Sequence, residues 1–436
     1  MIALLVLAVL NLLAPIVALG VVLSFVFSPR RGLLRDLPEE LGQRLGGLPE
    51  AARAALAGRK VLWLHAASAG EVSAVDEMMR LIHSRPDAPA ILVTTTTRAG
   101  RDAAQRLPQV TAAVLAPIDC WPAVSRFLAA AKPYALILVE TELWPNMIEL
   151  SHQAGVRVAL VNGRISDRSF PRYKMAAGLL QPFLARLRKV AAQTPLDGER
   201  FCALGAQPAA VLAAGNMKYD RLAAASRGRG RLELDRLGWH GCPVLAAGST
   251  HPGEEKQILD AFVALRRDHP RLRLVLAPRH VERADDAAQT VRAHGLVLAR
   301  LSLQDAPADS SVLLVDAMGW LGDFYSCALA GFVGGTLVPV GGHNLLEPAL
   351  ARVPVVFGPH IAHTRDTAAA LQKQGGGFMV DGAPGLARIL KGMLDEPETA
   401  QAFGRQALQT AQSLQGATAR TLAHLADLIA PPSQPE

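Results

Sequence analysis

In the stretch HAASAGEV a short apolar run, Val61 to Leu64, leads into Ser68 and Glu71, and these two residues admit two chemistries. At the start of a helix the backbone amides favour an anion, so the Glu71 carboxylate is expected to stay ionised. At a cleft edge it could accept the proton of an attacking hydroxyl, a general-base contribution worth roughly 10²- to 10⁴-fold. The same S-x-x-E spacing is also a capping box, in which the glutamate only satisfies backbone amides. Spacing alone leaves both readings open.

Other candidates stand where apolar runs end. ETELWPN places Glu140 and Glu142 directly after Tyr134 to Val139, and two acids so close need cationic or hydroxyl partners. Of the two, Glu142 suits a solvated loop, while Glu140 lies nearer the buried strand. GNMKYD sets Lys218 after Ala210 to Ala214, where it could serve as a point charge against a phosphate or carboxylate. LAPRHVER delivers Arg279 at a strand end, where a guanidinium can fork onto phosphate oxygens. GGTLVPVGGHNLLEPA brings Gly334 and Gly335, then Gly341, Gly342, His343 and Asn344, before a helix containing Glu347. Glycines let a backbone approach a phosphate closely, and a carboxylate one turn into the helix could accept two ribose hydroxyls.

The elements that must position these residues form an alternating pattern. Val61–Leu64, Ala90–Thr94, Tyr134–Val139 and Val156–Val161 read as strands, as do Val244–Ala247, Leu272–Ala277, Val312–Val315, Gly331–Val333 and Val353–Phe357. Helical segments separate them, which implies right-handed βαβ units and parallel sheets. A chain of 436 residues exceeds one ordinary core. The series pauses at Ser226 to Arg231, SRGRGR, which suits a linker. The expected organisation is therefore a domain at 36–222, a linker at 223–239 and a second domain at 240–429, two Rossmann-like α/β domains facing across a cleft. Ligands of such sheets bind beyond the carboxyl ends of the strands. Neither a G-x-G-x-x-G nor a G-x-x-x-x-G-K-[ST] motif occurs, which argues against a dinucleotide dehydrogenase and a P-loop nucleotidase.

From Ile2 to Ser28 no charged side chain appears, a run long enough to cross a hydrocarbon core needing roughly 20 residues. Arg30, Arg31 and Arg35 follow it, so residues 1–29 read as a membrane anchor with the rest of the chain on the cytoplasmic side. Asn11 and Pro15 interrupt the run and also allow a helix embedded in the interface. The net charge of +7 suggests an anionic partner. Nucleic acid does not fit, because no basic stripe is interleaved with aromatics and only 5% of residues are aromatic. Cys120, Cys202, Cys242 and Cys327 are too scattered for a disulfide framework or a zinc site.

Taken in order, HAASAGEV, TTTTRAG, ETELWPN, NGRIS, AAQTPLDGERF, GNMKYD, GSTHPGEE, LAPRH and GGHNLLEPA resemble the Kdo transferase family of lipopolysaccharide synthesis over nearly the whole chain. Its enzymes move 3-deoxy-D-manno-octulosonic acid (Kdo) from CMP-Kdo to a lipid A precursor, lipid IVA. The resemblance implies a GT-B fold, no metal or other cofactor, and an inverting transfer at the cytoplasmic face of the inner membrane. It implies that Glu71 is the proton acceptor and that Glu140 and Lys218 support the transition state. CMP contacts would come from Pro278, Arg279, Met318, Gly319, Trp320, Asn344, Leu345, Leu346 and Glu347. Trp320 stands where family members commonly read Glu, which puts a side-chain contact there in question while leaving backbone contacts. Two alternatives compete: a GT-B-like UDP-sugar epimerase, and a non-enzymatic, membrane-tethered binder of nucleotides or lipids.

Overall fold

The computed structural model describes residues 7, 8, 11, 12, 37–221, 228–303 and 306–430. Most of the apolar segment expected as an anchor lies outside these residues. Among the described residues no helix is long and apolar enough to cross a membrane. The chain divides into two compact units, 1–221 with 415–436, and 222–414.

The first unit is built on seven strands: β1 Val61–His65, β2 Ala90–Thr95, β3 Ala112–Leu115, β4 Pro133–Val139, β5 Arg157–Gly163, β6 Lys189–Ala192 and β7 Val211–Ala213. They lie in the order β3-β2-β1-β4-β5-β6-β7, and every neighbouring pair is parallel. This is the Rossmann order, with the direction of winding reversing between β1 and β4. Both faces are covered, so alternate residues of β1 enter different cores. Trp63 packs on Phe127 at 4.7 Å between ring centroids, while Leu62 and Leu64 join Met78, Met79 and Ile82 on the other face. The indole Nε1 of Trp63 donates to Thr94 Oγ1 at 2.8 Å, so burial leaves no unpaired polar atom on that ring.

The second unit repeats the plan with β8 Val244–Thr250, β9 Arg273–Pro278, β10 Leu298–Arg300, β11 Val312–Leu314, β12 Ala330–Val333, β13 Val355–Phe357 and β14 Gly377–Met379. The order is β10-β11-β9-β8-β12-β13-β14, again wholly parallel, with the reversal between β8 and β12.

Two boundaries differ from the sequence expectation. Residues 228–236, expected within a linker, form a helix, Gly228–Arg236, and Leu234, Leu237 and Trp239 are buried in the second unit's core. Gly230 is a packing residue there: a Cβ at this position would sit 2.5 Å from the Asp323 carbonyl oxygen. The Gly and Arg content that suggests a flexible link hides this apolar edge. The second unit also ends early, because the helices Ala417–His424 and Ala426–Ile429 belong to the first. The Asp220 carboxylate accepts from the N–H groups of Gly416 (2.7 Å) and Thr418 (2.5 Å), and Tyr134 donates its hydroxyl to the Ile429 carbonyl at 2.7 Å. These bonds span some two hundred residues or more, a separation that local sequence pattern does not register.

Candidate active site

At the reversal point of the first unit, β1 ends in His65, which is fully buried. Its Nδ1 lies 2.9 Å from Thr94 Oγ1 and its Nε2 lies 3.5 Å from Glu142 Oε2. Three residues on, Ser68 caps the short helix Ala69–Ala74 by accepting from the Glu71 N–H at 3.4 Å. The Glu71 carboxylate accepts from the Ser68 hydroxyl at 3.1 Å and from the Ala67 N–H at 2.8 Å. The capping reading is thus realised, and it fixes the carboxylate's position. Its charge state differs from the expectation. Burial, reinforced by the neighbouring Glu142 and Glu140 carboxylates, outweighs the bonds from Ala67 and Ser68 and raises the Glu71 pKa to about 7. A helix of six residues has too little dipole to offset that desolvation.

Glu140 follows β4 with φ 60°, a left-handed conformation that costs a non-glycine residue on the order of 1–3 kcal/mol. Its N–H donates to the Val161 carbonyl at 2.9 Å, which holds the turn. Lys218 Nζ lies 2.7 Å from Glu140 Oε1. With side chains 48% and 25% exposed, the pair is worth at most about 1 kcal/mol to stability, so its significance is placement. Lys218 itself sits on a single helical turn, Met217–Tyr219, whose first residue donates its N–H to Asn162 Oδ1 at 3.1 Å. Glu142, expected in a solvated loop, is half-buried and accepts from Trp144 Nε1 at 2.6 Å. Burial acts to raise its pKa, but His65 and Trp144 together hold it below the usual carboxylate range. TTTTRAG serves the fold, since Thr97 Oγ1 accepts from the Gly100 N–H at 3.1 Å and caps the helix Arg98–Gln105.

Beside Glu140 opens a cavity of about 330 Å³ lined by Thr141, Arg164, Ser166, Ser169 and Tyr173 among others. The segment leading away from it exposes Arg168, Arg172 and Lys174 together with Met175 and Leu179. Of these, only Arg164 carries a sequence signal, its place just past β5.

In the second unit a cavity of about 630 Å³ lies beyond the ends of β8, β9 and β11. Pro278, Arg279, Met318, Gly319 and Glu347, all expected to touch a nucleotide, line it, as does Ser249. Trp320 flanks it beneath the Arg229 guanidinium. Asn344, Leu345 and Leu346 are not part of the lining: Asn344 Oδ1 accepts from the Leu346 N–H at 3.1 Å, and both leucines are buried. The Arg279 side chain is exposed and has no protein partner among the described residues. Burial raises the Glu347 carboxyl, an effect that Arg279 partly opposes. His343 Nε2 stands 2.7 Å from His251 Nε2, and burial, then the charges of His251, Arg279, His363 and His280, bring the His343 pKa down to about 4.

The glycine-rich loop does not present its amides as expected. The buried Glu254 carboxylate already accepts from the N–H groups of Gly335 (2.7 Å), Thr336 (3.0 Å), Leu337 (2.8 Å) and His251 (2.9 Å). The N–H groups of Gly341 and Gly342 go to the Gly335 carbonyl. An acid from a helix some eighty residues earlier fills the nest that a phosphate would otherwise occupy. The residue that sequence reading misses altogether is Arg229, on the helix assigned to a linker, which reaches the cavity wall.

Comparison with known proteins adds a lineage to this geometry. The family model for 3-deoxy-D-manno-octulosonic-acid transferase (kdotransferase) matches residues 39–221. The 3-deoxy-D-manno-octulosonic acid transferase of Bordetella pertussis is 34% identical over 380 residues, 84% of this chain and 87% of that one. A bifunctional glycosyltransferase/methyltransferase of Fusobacterium nucleatum is 33% identical over 327 residues, 73% of this chain, which spans only 50% of that relative's length. Among solved structures, the UDP-GlcNAc 2-epimerase of Neisseria meningitidis matches with a TM-score of 0.58 over 84% of this chain and all of that one. At 12% identity this likeness concerns the fold alone.

Proposed function

The chain belongs to the Kdo transferase family and is a glycosyltransferase with two Rossmann-like units of the GT-B type; from that premise we propose that it moves Kdo from CMP-Kdo to a lipid A precursor, lipid IVA, with inversion. One observation carries the mechanism: Glu71 is fixed by two hydrogen bonds at the reversal point of the first sheet, with a pKa of about 7. A base poised near neutral pH can take a hydroxyl proton and hold it. The acceptor oxygen attacks the anomeric carbon of Kdo as the bond from that carbon to the CMP phosphate oxygen breaks. The proton passes to Glu71, and CMP departs as a phosphate monoester.

The leaving group's growing charge needs fixed donors rather than an acid. Arg279, which makes no ion pair among the described residues, suits that role at its strand end, and Glu347 suits the ribose hydroxyls. Lys218 and Glu140 act as an oriented pair on the acceptor side. Written this way the reaction calls for no cofactor beyond the donor. The acceptor is a phosphorylated, acylated lipid, and the cavity beside Glu140 suits it, with Arg164, Arg168, Arg172 and Lys174 for phosphates and Met175 and Leu179 for apolar contact. Residues 1–29 supply the anchor, and the protein works at the cytoplasmic face of the inner membrane, where the acceptor stays.

The test is a reconstituted reaction of the full chain with CMP-Kdo and lipid IVA in detergent, followed by CMP release and by the mass of the lipid. Release of CMP with stepwise addition of Kdo to the lipid is the expected result, and the same spectrum counts the residues added. No CMP release, or an unchanged lipid, would overturn the proposal and favour a binding protein.

A further inference from the structure

Arg229 occupies an unusual setting for a cation in a nucleotide pocket. Its Nη2 donates to the Gly319 carbonyl at 2.7 Å and to Asp323 Oδ2 at 2.5 Å. The guanidinium carbon stands 4.2 Å from the centroid of the Trp320 ring, which itself stacks on Phe324 at 6.1 Å. Stacking and the two bonds from Nη2 hold the plane still. The close approach of its helix at Gly230 brings it there. Nε and Nη1 have no protein partner among the described residues, and Arg229 is part of the cavity wall.

The two arginines of this cavity are therefore not equivalent. Arg279 makes no ion pair among the described residues, and burial pushes up the carboxyl of Glu347, the acid it influences, so its charge remains for a phosphate. The charge of Arg229 is met by Asp323, a largely buried carboxylate, and what remains is a flat edge with unspent N–H groups. The wall around it, with Val315, Met318 and Leu321, suits the faces of a heterocycle. With Nη2 taken, the free N–H groups on Nε and Nη1 lie on opposite sides of the plane's axis, so one of them meets one acceptor of the base. Cytosine presents N3 as a bare acceptor to such a donor, whereas uracil carries a hydrogen on N3 and meets it with another donor.

We propose that Arg229, seated on Trp320, reads the base of the donor nucleotide and selects cytosine over uracil. The inference rests on the CMP-Kdo reading above and adds to it a specificity residue. It also gives Trp320 a role, as the platform on which the arginine rests.

Equilibrium binding of CMP and of UMP to the full chain tests this by calorimetry. The unaltered protein is expected to prefer CMP by about tenfold or more, the factor that roughly one well-made hydrogen bond supplies. Arg229→Ala should weaken CMP by a similar factor and leave UMP nearly unchanged, so that the preference collapses. Arg229→Lys should not restore it, because an ammonium has no planar face to seat on Trp320 and no second nitrogen to reach the base while one holds Asp323. A preserved CMP to UMP ratio in Arg229→Ala, or an equal loss for both nucleotides, would overturn the proposal and make the residue structural. If that variant does not fold, Trp320→Leu carries the test, since it removes the platform and leaves the Asp323 pair; an unchanged ratio there has the same force. Equal binding of CMP and UMP by the unaltered protein would instead overturn the CMP-Kdo reading itself.

Discussion

The reversal points of the two sheets share a topology and differ in charge. Beyond β1 and β4 stand three carboxylates, Glu71, Glu140 and Glu142, with Lys218 at 2.7 Å from one of them. Beyond β8, β9 and β11 stand Arg229 and Arg279, with His251, His280 and His343 nearby and Asp323 and Glu347 as acids in the cavity wall. In each region burial shifts a proton equilibrium and the surrounding charges add to it. Burial, with the neighbouring carboxylates, raises Glu71 to about 7, and burial, with the neighbouring cations, lowers His343 to about 4. The doubly wound sheet thus provides a place, and the residue types after the strands decide whether it takes a proton or receives an anion.

Three substitutions test that contrast. Glu71→Gln carries the largest expected effect, a loss of roughly 10²- to 10⁴-fold in turnover. An amide oxygen can still accept from the Ala67 N–H, so the fold should persist, and CMP affinity, a property of the other unit, should not change. Near-normal turnover would leave Glu71 as a cap only. Next is Glu254→Ala, which leaves four N–H groups around the loop without their acceptor and should cost about 3 kcal/mol or more in denaturant unfolding, with CMP binding weakened. A variant as stable as the parent would show that the loop holds itself.

Glu142→Gln is the gentlest and concerns pH. Glu71 must be deprotonated to act, so kcat/KM should rise with pH and level off above a midpoint near 7. Removing the Glu142 charge takes away one repulsion and should move that midpoint to lower pH; an unmoved midpoint would show that this repulsion plays no part in setting it. The same shift has a stability counterpart. The native carboxyl binds its proton more tightly than the unfolded chain, whose value lies near 4.5, so this contribution is complete below that value and is lost as pH rises through about 7. In Glu71→Gln that component should vanish from a plot of stability against pH.

The strong strands were legible because they are long, apolar and β-branched: β1, β2, β4, β5, β8 and β9 coincide closely with runs that sequence alone marks. The strands at and next to the sheet edges escape because they are short and poor in such residues, as in KVAA at β6, which lies beside the edge strand β7, and GFM at the edge strand β14. Among site residues, Glu71, Glu140, Lys218, Arg279 and Glu347 were singled out because each follows an apolar run or opens a helix. Glu142 reads only as a solvated loop residue and Arg229 goes unmarked, since what defines them is a partner far along the chain: His65 for one, Gly319 and Asp323 for the other.

Alternation of apolar runs and helical segments determined the α/β class, and the ordered motifs determined the family, because both reside in neighbouring residues. The charge state of Glu71, the filling of the glycine nest by Glu254 and the arrival of Arg229 at the second unit's cavity were decided only by tertiary structure. Each depends on desolvation or on a bond between groups brought together by folding, and neither has a local signature.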